Sequence, residues 1–207
     1  MGKGKIKTLV IGLPNATGTV PSDWAVMLAA ICTHLATKGI TCKMIGVDRS
    51  FVDAARNEVI KIAKQFDADA VFFLDADTYI QPDGVWKLIE MDKDIISPPV
   101  ADRKGGVLLN VLDDYLVKRT AIEKTEKVKA IGSACTLIKR KVYEKLLEEY
   151  ATPYEFQIAT TDQGKKIPIS EDIGFCLRAE KFGFETWVCK NIKTQHLGNP
   201  IKYTYDG

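Results

Sequence analysis

The stretch "VFFLDADTYIQPDG", Val71 to Gly84, runs four apolar residues into two aspartates one residue apart, Asp75 and Asp77. In an extended segment side chains two apart point the same way, so the two carboxylates converge. Like charges held together are unfavourable unless a cation joins them. Hard divalent cations take carboxylate oxygens, and Mg²⁺ commonly combines one or two carboxylates with substrate phosphates. Mn²⁺ suits the same oxygen-rich surroundings. The pair points to a cation bridging to a phosphorylated ligand. On these residues alone a second reading stands beside it, in which the aspartates cap the amides of a turn.

The elements that must position this pair alternate between strand and helix. "IKTLVIGL" (Ile6 to Leu13) reads as a buried strand, followed by a Pro-, Gly- and Thr-rich loop and a helix capped by Ser22 or Asp23. Trp24, Met27, Leu28, Ile31 and Leu35 share one helix face, and Gly39 ends it. "TCKMIGV" is a second strand; Phe51, Ala55, Val59, Ile62, Ala63 and Phe66 mark a second helix; "DAVFFL" is a third strand. A short helix follows Pro82-Asp83, and "DIISP" is a fourth strand. Further on, "VLLNVL" and "VKAIGSACTLIKR" read as strands and "KVYEKLLEEY" as a helix. Thr152 to Pro168 read as a long loop, "SEDIGFCLRAEKFG" as a helix capped by Ser170, and "FETWVC" and "IKTQHLG" as final strands. This order predicts one α/β domain over residues 1–207, a mixed, mainly parallel sheet flanked by helices. Ligands in such sheets bind beyond the carboxyl ends of the strands, where Asp75 and Asp77 stand.

Bulk composition narrows the partners. The 207 residues suffice for a sizeable core, with 46% hydrophobic and 27% charged residues. Twenty-nine basic against 27 acidic side chains give a net charge of +2. Such a balance offers no global attraction to nucleic acid or membrane, so an anionic ligand must be held by local charge. No apolar run reaches the roughly 18 residues of a spanning helix, and Pro14-Asn15 interrupt the first apolar stretch too early for a signal peptide. The five widely spaced cysteines form no CxxC pair, which predicts reduced, mostly buried thiols and a cytoplasmic compartment.

Three stretches together resemble one family. "DRSFVDAARNEVIKIAKQFDADAVFFLDADTYIQPDG" resembles the nucleotide-sugar half of a GT-A glycosyltransferase, with Arg56-Asn57 on the helix before the DxD strand. "AIGSACTLIKRKVYEKL" resembles the strand–turn–helix near the sugar and acceptor, and "SEDIGFCLRAEKFGFETWVCKNIKTQHLG" resembles the ED-containing helix followed by a strand and a histidine. The order and spacing are similar to a small family-2-type domain over roughly residues 6 to 198.

The resemblance implies a metal-dependent, inverting glycosyltransferase of hexosyltransferase type. It would take a nucleoside-diphosphate sugar donor, Mn²⁺ or Mg²⁺, and an acceptor hydroxyl on a sugar, glycan or protein. Asp77 would ligate the metal, Asp75 would contact ribose or metal, and His196 would complete the coordination. Asp172 would be the general base with Glu171 in support; as a plain helix start, the two acids would instead complement the dipole. Pro14, Asp48 and Arg49, with Leu13, would lie under the base and ribose, and Arg56 and Asn57 would reach the phosphates or nucleotide or else face solvent. His34 has no such counterpart and is read as structural. The Q-x-x-R-W signature of processive synthases is absent, and little chain follows His196, so acceptor contacts are expected from the segments around Asp102 to Asp114 and Thr152 to Pro168 or from a partner.

Three rival readings are distinguishable. A non-catalytic nucleotide- or sugar-binding domain would keep the fold without the chemistry. "FFLDADT" also fits the opening of haloacid-dehalogenase phosphatases, although two strand–helix units precede it here. A nucleotidyltransferase would need basic residues after the first strand, and "GLPNATGTVPSDW" has none.

Overall fold

The computed structural model describes residues 6–48, 50–101, 109–113, 117–160, 164, 166–197 and 202–205. In chain order the elements begin with β1 (Thr8–Asn15), α1 (Ser22–Thr37), β2 (Thr41–Asp48), α2 (Val52–Gln65) and β3 (Ala70–Leu74). There follow β4 (Thr78–Ile80), α3 (Gly84–Glu90), β5 (Ile95–Ser97), β6 (Val111–Leu112), β7 (Glu126–Val128), β8 (Ala130–Ile131) and β9 (Cys135–Lys139). The remainder is α4 (Arg140–Glu149), β10 (Gln157–Thr160), β11 (Lys166–Ile169), α5 (Glu171–Lys181), β12 (Thr186–Val188), β13 (Thr194–Leu197) and β14 (Lys202–Tyr205).

A seven-stranded sheet runs in the order β2-β1-β3-β9-β5-β12-β7. β1 pairs in parallel with β2 and β3, and β5 with β12, while β9 and β7 run against their neighbours. The sheet is therefore mixed and mainly parallel, as expected. All five residues of β3 are buried, which explains its unbroken apolar run: a central strand faces a core on both sides. Its side chains alternate between those cores. Phe72 and Leu74 pack with Trp24, Leu28, Ile31 and Leu35 of α1 and with Val85 and Leu88 of α3. Val71 and Phe73 pack with α2, α4 and α5 through Val59, Tyr143 and Phe175 among others. Helices thus cover both faces.

Close approach sets where α2 lies. A Cβ at Gly12 of β1 would stand 2.5 Å from Val59 Cγ1, so only glycine lets this helix settle on the strand. Phe51 and Phe66, expected on its buried face, are exposed because they flank the helix at its cap positions; Ile60 is buried in their place.

Several local expectations are corrected. The segment read as one strand, "VKAIGSACTLIKR", is divided into β7, β8 and β9 by turns. Of "VLLNVL", Val111–Leu112 form β6, and Val107 and Leu108 lie outside the described residues. The expected loop Thr152 to Pro168 contains a hairpin, β10 paired antiparallel with β11; its strands are four residues each and β11 carries Pro168, so neither registers as strand. Pro21, not Ser22 or Asp23, is the cap residue of α1, whereas Ser170 does occupy the cap position of α5 but makes no side-chain cap bond to the backbone.

A second, three-stranded sheet matters most for the site. β13 lies between β14 and β4, with His196 opposite Thr78 and Gln195 opposite Tyr79. The amide of Leu197 donates to the carbonyl of Asp77 at 2.8 Å. The C-terminal part of the chain is thereby stitched to the residues immediately after β3. Among the described residues, no helix is long and apolar enough to cross a membrane.

Candidate active site

A cleft of about 810 Å³ opens at the carboxyl ends of β1 and β3, the edge where α/β sheets take their ligands. One wall is the loop from Pro14 to Pro21, another the start of α2 with Ser50, Val52 and Arg56. Asp75, Ala76 and Asp77 form the floor, and Glu171 and Leu197 close it. The loop is built on Asn15. Its Oδ1 accepts from Thr17 N at 3.2 Å, Thr17 Oγ1 at 2.9 Å and Gly18 N at 3.2 Å, while Nδ2 donates to the Thr19 carbonyl at 3.1 Å. Such an Asx-type turn fixes the loop without help from the core. Asn15, Thr17 and Thr19 were not singled out from the sequence, though Asn-Ala-Thr-Gly-Thr after a buried strand is a turn signal.

Arg56 is the electrostatic centre. Its guanidinium donates from Nη1 to Asp75 Oδ1 and from Nη2 to Asp75 Oδ2, both at 3.2 Å, and from Nη1 to the Ser133 carbonyl at 3.3 Å. Nε stands 3.6 Å from Glu171 Oε1. Burial works against this charge, but Asp75 first, then Tyr154, Asp172 and Glu171 outweigh it and raise the pKa. Among the described residues lining the cleft, Arg56 is the one cation against the carboxylates of Asp75, Asp77 and Glu171. That cation is already committed to Asp75, so it is an ion-pair partner in the site and does not stand free to take a phosphate.

Asp75 and Asp77 diverge in role. Both oxygens of Asp75 are on Arg56, whereas Asp77 Oδ1 lies 3.4 Å from His196 Nε2. His196 is buried, and its Nδ1 donates to the Ala101 carbonyl at 2.7 Å. In the neutral ring that bond leaves the lone pair on Nε2, facing a carboxylate. Positive charge shared by the two groups, a ring proton or a cation, favours such a contact. Among the described residues no group of three or more His, Cys, Asp or Glu side chains stands together as a metal site. Asp77 and His196 make a pair, and Asp75 is turned from it to Arg56.

The two acids of α5 are also separated by the fold. Glu171 lines the cleft and is buried. Asp172, expected to be the base, is not among the cleft residues; its Oδ1 accepts from the Ile173 amide at 2.8 Å and from the Ser170 hydroxyl. The reason is helical geometry: adjacent residues point about 100° apart, and Arg56 sits on the Glu171 side. Burial, followed by the neighbouring Asp172, lifts the Glu171 carboxyl above its ordinary 4.5, with Arg56 pulling the other way. A carboxyl raised by folding adds stability that is full below the unfolded value and is lost as pH rises through the folded one. Glu171→Gln is therefore expected to gain melting temperature relative to the wild type as pH is raised from 4.5 towards neutrality. Thermal melts at a series of pH values check this; a gap that narrows with rising pH contradicts the assignment.

The remaining expected residues are dispersed. Pro14 lines the cleft. Asp48 is paired in register with Asn15 but is exposed and outside the cleft lining. Arg49 lies outside the described residues, as do Asp102 and Asp114 from the expected acceptor segment. Asn57 lies outside the cleft lining: Nδ2 donates to the Tyr154 carbonyl at 2.6 Å and Oδ1 accepts from the Tyr154 amide at 2.9 Å. Tyr154 in turn stacks on Phe175 of α5 (4.2 Å, 15°) and meets Phe73 of β3 edge-on (5.6 Å, 81°). Asn57 and this aromatic stack tie α2, β3 and α5 together and so place Glu171 beside Arg56. His34, half-buried on α1, is not among the cleft-lining residues.

The same fold occurs in solved proteins. A197 from STIV, known from a crystal structure, aligns over 92% of this chain and 85% of its own with a TM-score of 0.60 at 19% identity. It is one of 151 matching solved chains, and a fold so widely shared leaves function to be argued from the site. No family model matches the chain, and no curated protein sequence matches it.

Proposed function

We propose that this protein is a metal-dependent glycosyltransferase of GT-A type that moves a sugar from a nucleoside-diphosphate donor to an acceptor hydroxyl with inversion. The observation that carries the reading is the charge of the cleft: its described lining sets three carboxylates, Asp75, Asp77 and Glu171, against one guanidinium, which is already paired with Asp75 and Glu171. A cation would offset the charge that a diphosphate brings to such a site, and Asp77 on the cleft floor with the buried His196 beside it would offer two ligands for one. A cation held by Asp77, His196 and the donor phosphates would stabilise the negative charge that grows on the departing diphosphate.

Glu171 supplies the other half of the chemistry. Its carboxylate takes the acceptor hydroxyl's proton as that oxygen bonds to the anomeric carbon and the bond to the diphosphate breaks. A carboxyl lifted by burial is a better proton acceptor at neutral pH than a solvated one. Arg56 engages both oxygens of its companion Asp75 and holds it turned from the cation ligands.

The haloacid-dehalogenase reading loses support here, because the aspartate that would be its nucleophile has both oxygens engaged by Arg56. The non-catalytic reading draws on the same Arg56–Glu171 ion pair, which could simply close the site. Calorimetric titration of UDP and GDP with Mn²⁺ and with a chelator tests the proposal. Binding in Mn²⁺ that disappears in chelator is expected for one of the two; equal affinity in both buffers would overturn it.

A further inference from the structure

Trp24 is the largest buried side chain of α1, 1% exposed, and its one polar atom is not placed at random. The indole N–H points at two carbonyls, Thr78 at 3.0 Å and Asp75 at 3.2 Å. These carbonyls bracket the turn that carries Asp77, which is itself closed by Thr78 N donating to Asp75 O at 3.0 Å. A phenyl ring would fill much of the same space; only the donor explains the bifurcated contact.

The same helix end holds the rest of the segment. Tyr79 Oη donates to Asp23 Oδ1 at 2.8 Å, and the Ile80 amide to Met27 Sδ at 3.3 Å. β4 is thus gripped by the first two turns of α1 on one side and by β13, which carries His196, on the other. The residues just before α1 form the cleft wall from Pro14 to Pro21. The wall that a ligand touches and the turn that presents Asp77 therefore share one anchor.

We propose that Trp24 is a positioning residue: its indole N–H fixes the Asp75–Thr78 turn and so sets Asp77 against His196. The inference about cation and nucleotide rests on the function proposed above; the hold on the turn does not. Removing the donor takes the indole hydrogen bond from both carbonyls, leaves the Asp75 carbonyl with the Thr78 amide alone, and lets the turn sample other geometries, which weakens a two-ligand site more than it weakens the core.

Trp24→Phe separates these effects. Hydrogen exchange of the Thr78 amide is expected to accelerate at least tenfold, with the amides of β3 unchanged; unaltered exchange at Thr78 overturns the proposal with no ligand involved. In titrations with Mn²⁺ and the nucleotide that the wild type binds, Kd is expected to rise about 10- to 100-fold, the range for losing an outer-shell support. Leu28→Ala, a core lesion on the same helix face, is expected to lower the melting temperature while leaving Kd within twofold. Equal losses of affinity in the two variants would make Trp24 a core residue only and sink the idea. If the wild type shows no Mn²⁺-dependent binding but Thr78 exchange accelerates, the function reading fails and the role of Trp24 in the turn stands. Should Trp24→Phe not fold, 3-benzothienylalanine at position 24, which keeps the bicycle and lacks the N–H, is measured instead.

Discussion

Glu171→Gln is expected to lower sugar transfer by about 10²- to 10⁴-fold, the usual contribution of a general base, while nucleotide and Mn²⁺ still bind. Such a split arises because proton acceptance matters only in the transition state, so kcat falls and donor affinity does not. The amide retains an oxygen near Arg56 Nε, which limits collateral damage at the ion pair. Asp172→Asn is the discriminating partner. Its carboxylate serves Ser170 and the Ile173 amide, so its loss is expected to cost less than tenfold, a deficit of cap and backbone interactions. Single-turnover transfer to water or to a panel of simple sugars measures both. If Asp172→Asn is the crippled variant and Glu171→Gln is not, the cleft geometry has misassigned the base; a product with retained configuration would remove the inverting mechanism altogether.

Asp77→Ala is expected to weaken Mn²⁺-dependent nucleotide binding by about 100-fold or more, since even outer-shell changes commonly cost 10- to 100-fold. Asp77 is only partly buried, so the protein should stay folded and the loss should lie in the ligand. His196→Ala should follow Asp77→Ala in direction, and His34→Ala should not, because only His196 faces the aspartate. Asp75→Asn is informative in another way. It removes the chief partner of a buried guanidinium, so its expected effect is loss of stability, as breaking a buried pair leaves a charge uncompensated. Calorimetry and thermal melts run on the four variants separate ligand from scaffold. Wild-type affinity in Asp77→Ala would remove the cation from the proposal.

Much of this architecture is written in local pattern. The buried run of β3, the amphipathic face of α1 and the stop at Gly39 are all visible as periodicity and turn chemistry, and they suffice for an α/β sheet with helices on both faces. Asp75 and Asp77 at a strand end are equally visible. Division of labour between them is not. Residues two apart in sequence were expected to point together, yet the chain turns at Ala76, and Arg56 claims one carboxylate while His196 faces the other.

The later part of the chain shows the same limit. β10 and β11 are four residues each and leave Ile158 and Ile167 exposed, so no periodicity announces them, and Tyr154 gains its importance only from Phe73, Phe175 and Asn57, each far from it in sequence. Which acid of Glu171-Asp172 faces the cleft depends on the roll of α5, and that roll is set by the aromatic stack. The amino-acid sequence by itself determined the sheet, the helix faces and the types of residue available at its carboxyl edge, because those follow from side-chain alternation and backbone preference within a few residues. Only the tertiary structure decided that Arg56 pairs with Asp75, that Asp77 meets His196 across 119 residues through β4 and β13, and that Glu171 rather than Asp172 enters the cleft. Those outcomes are contacts between distant segments, fixed by how whole faces pack, and no local spacing encodes them.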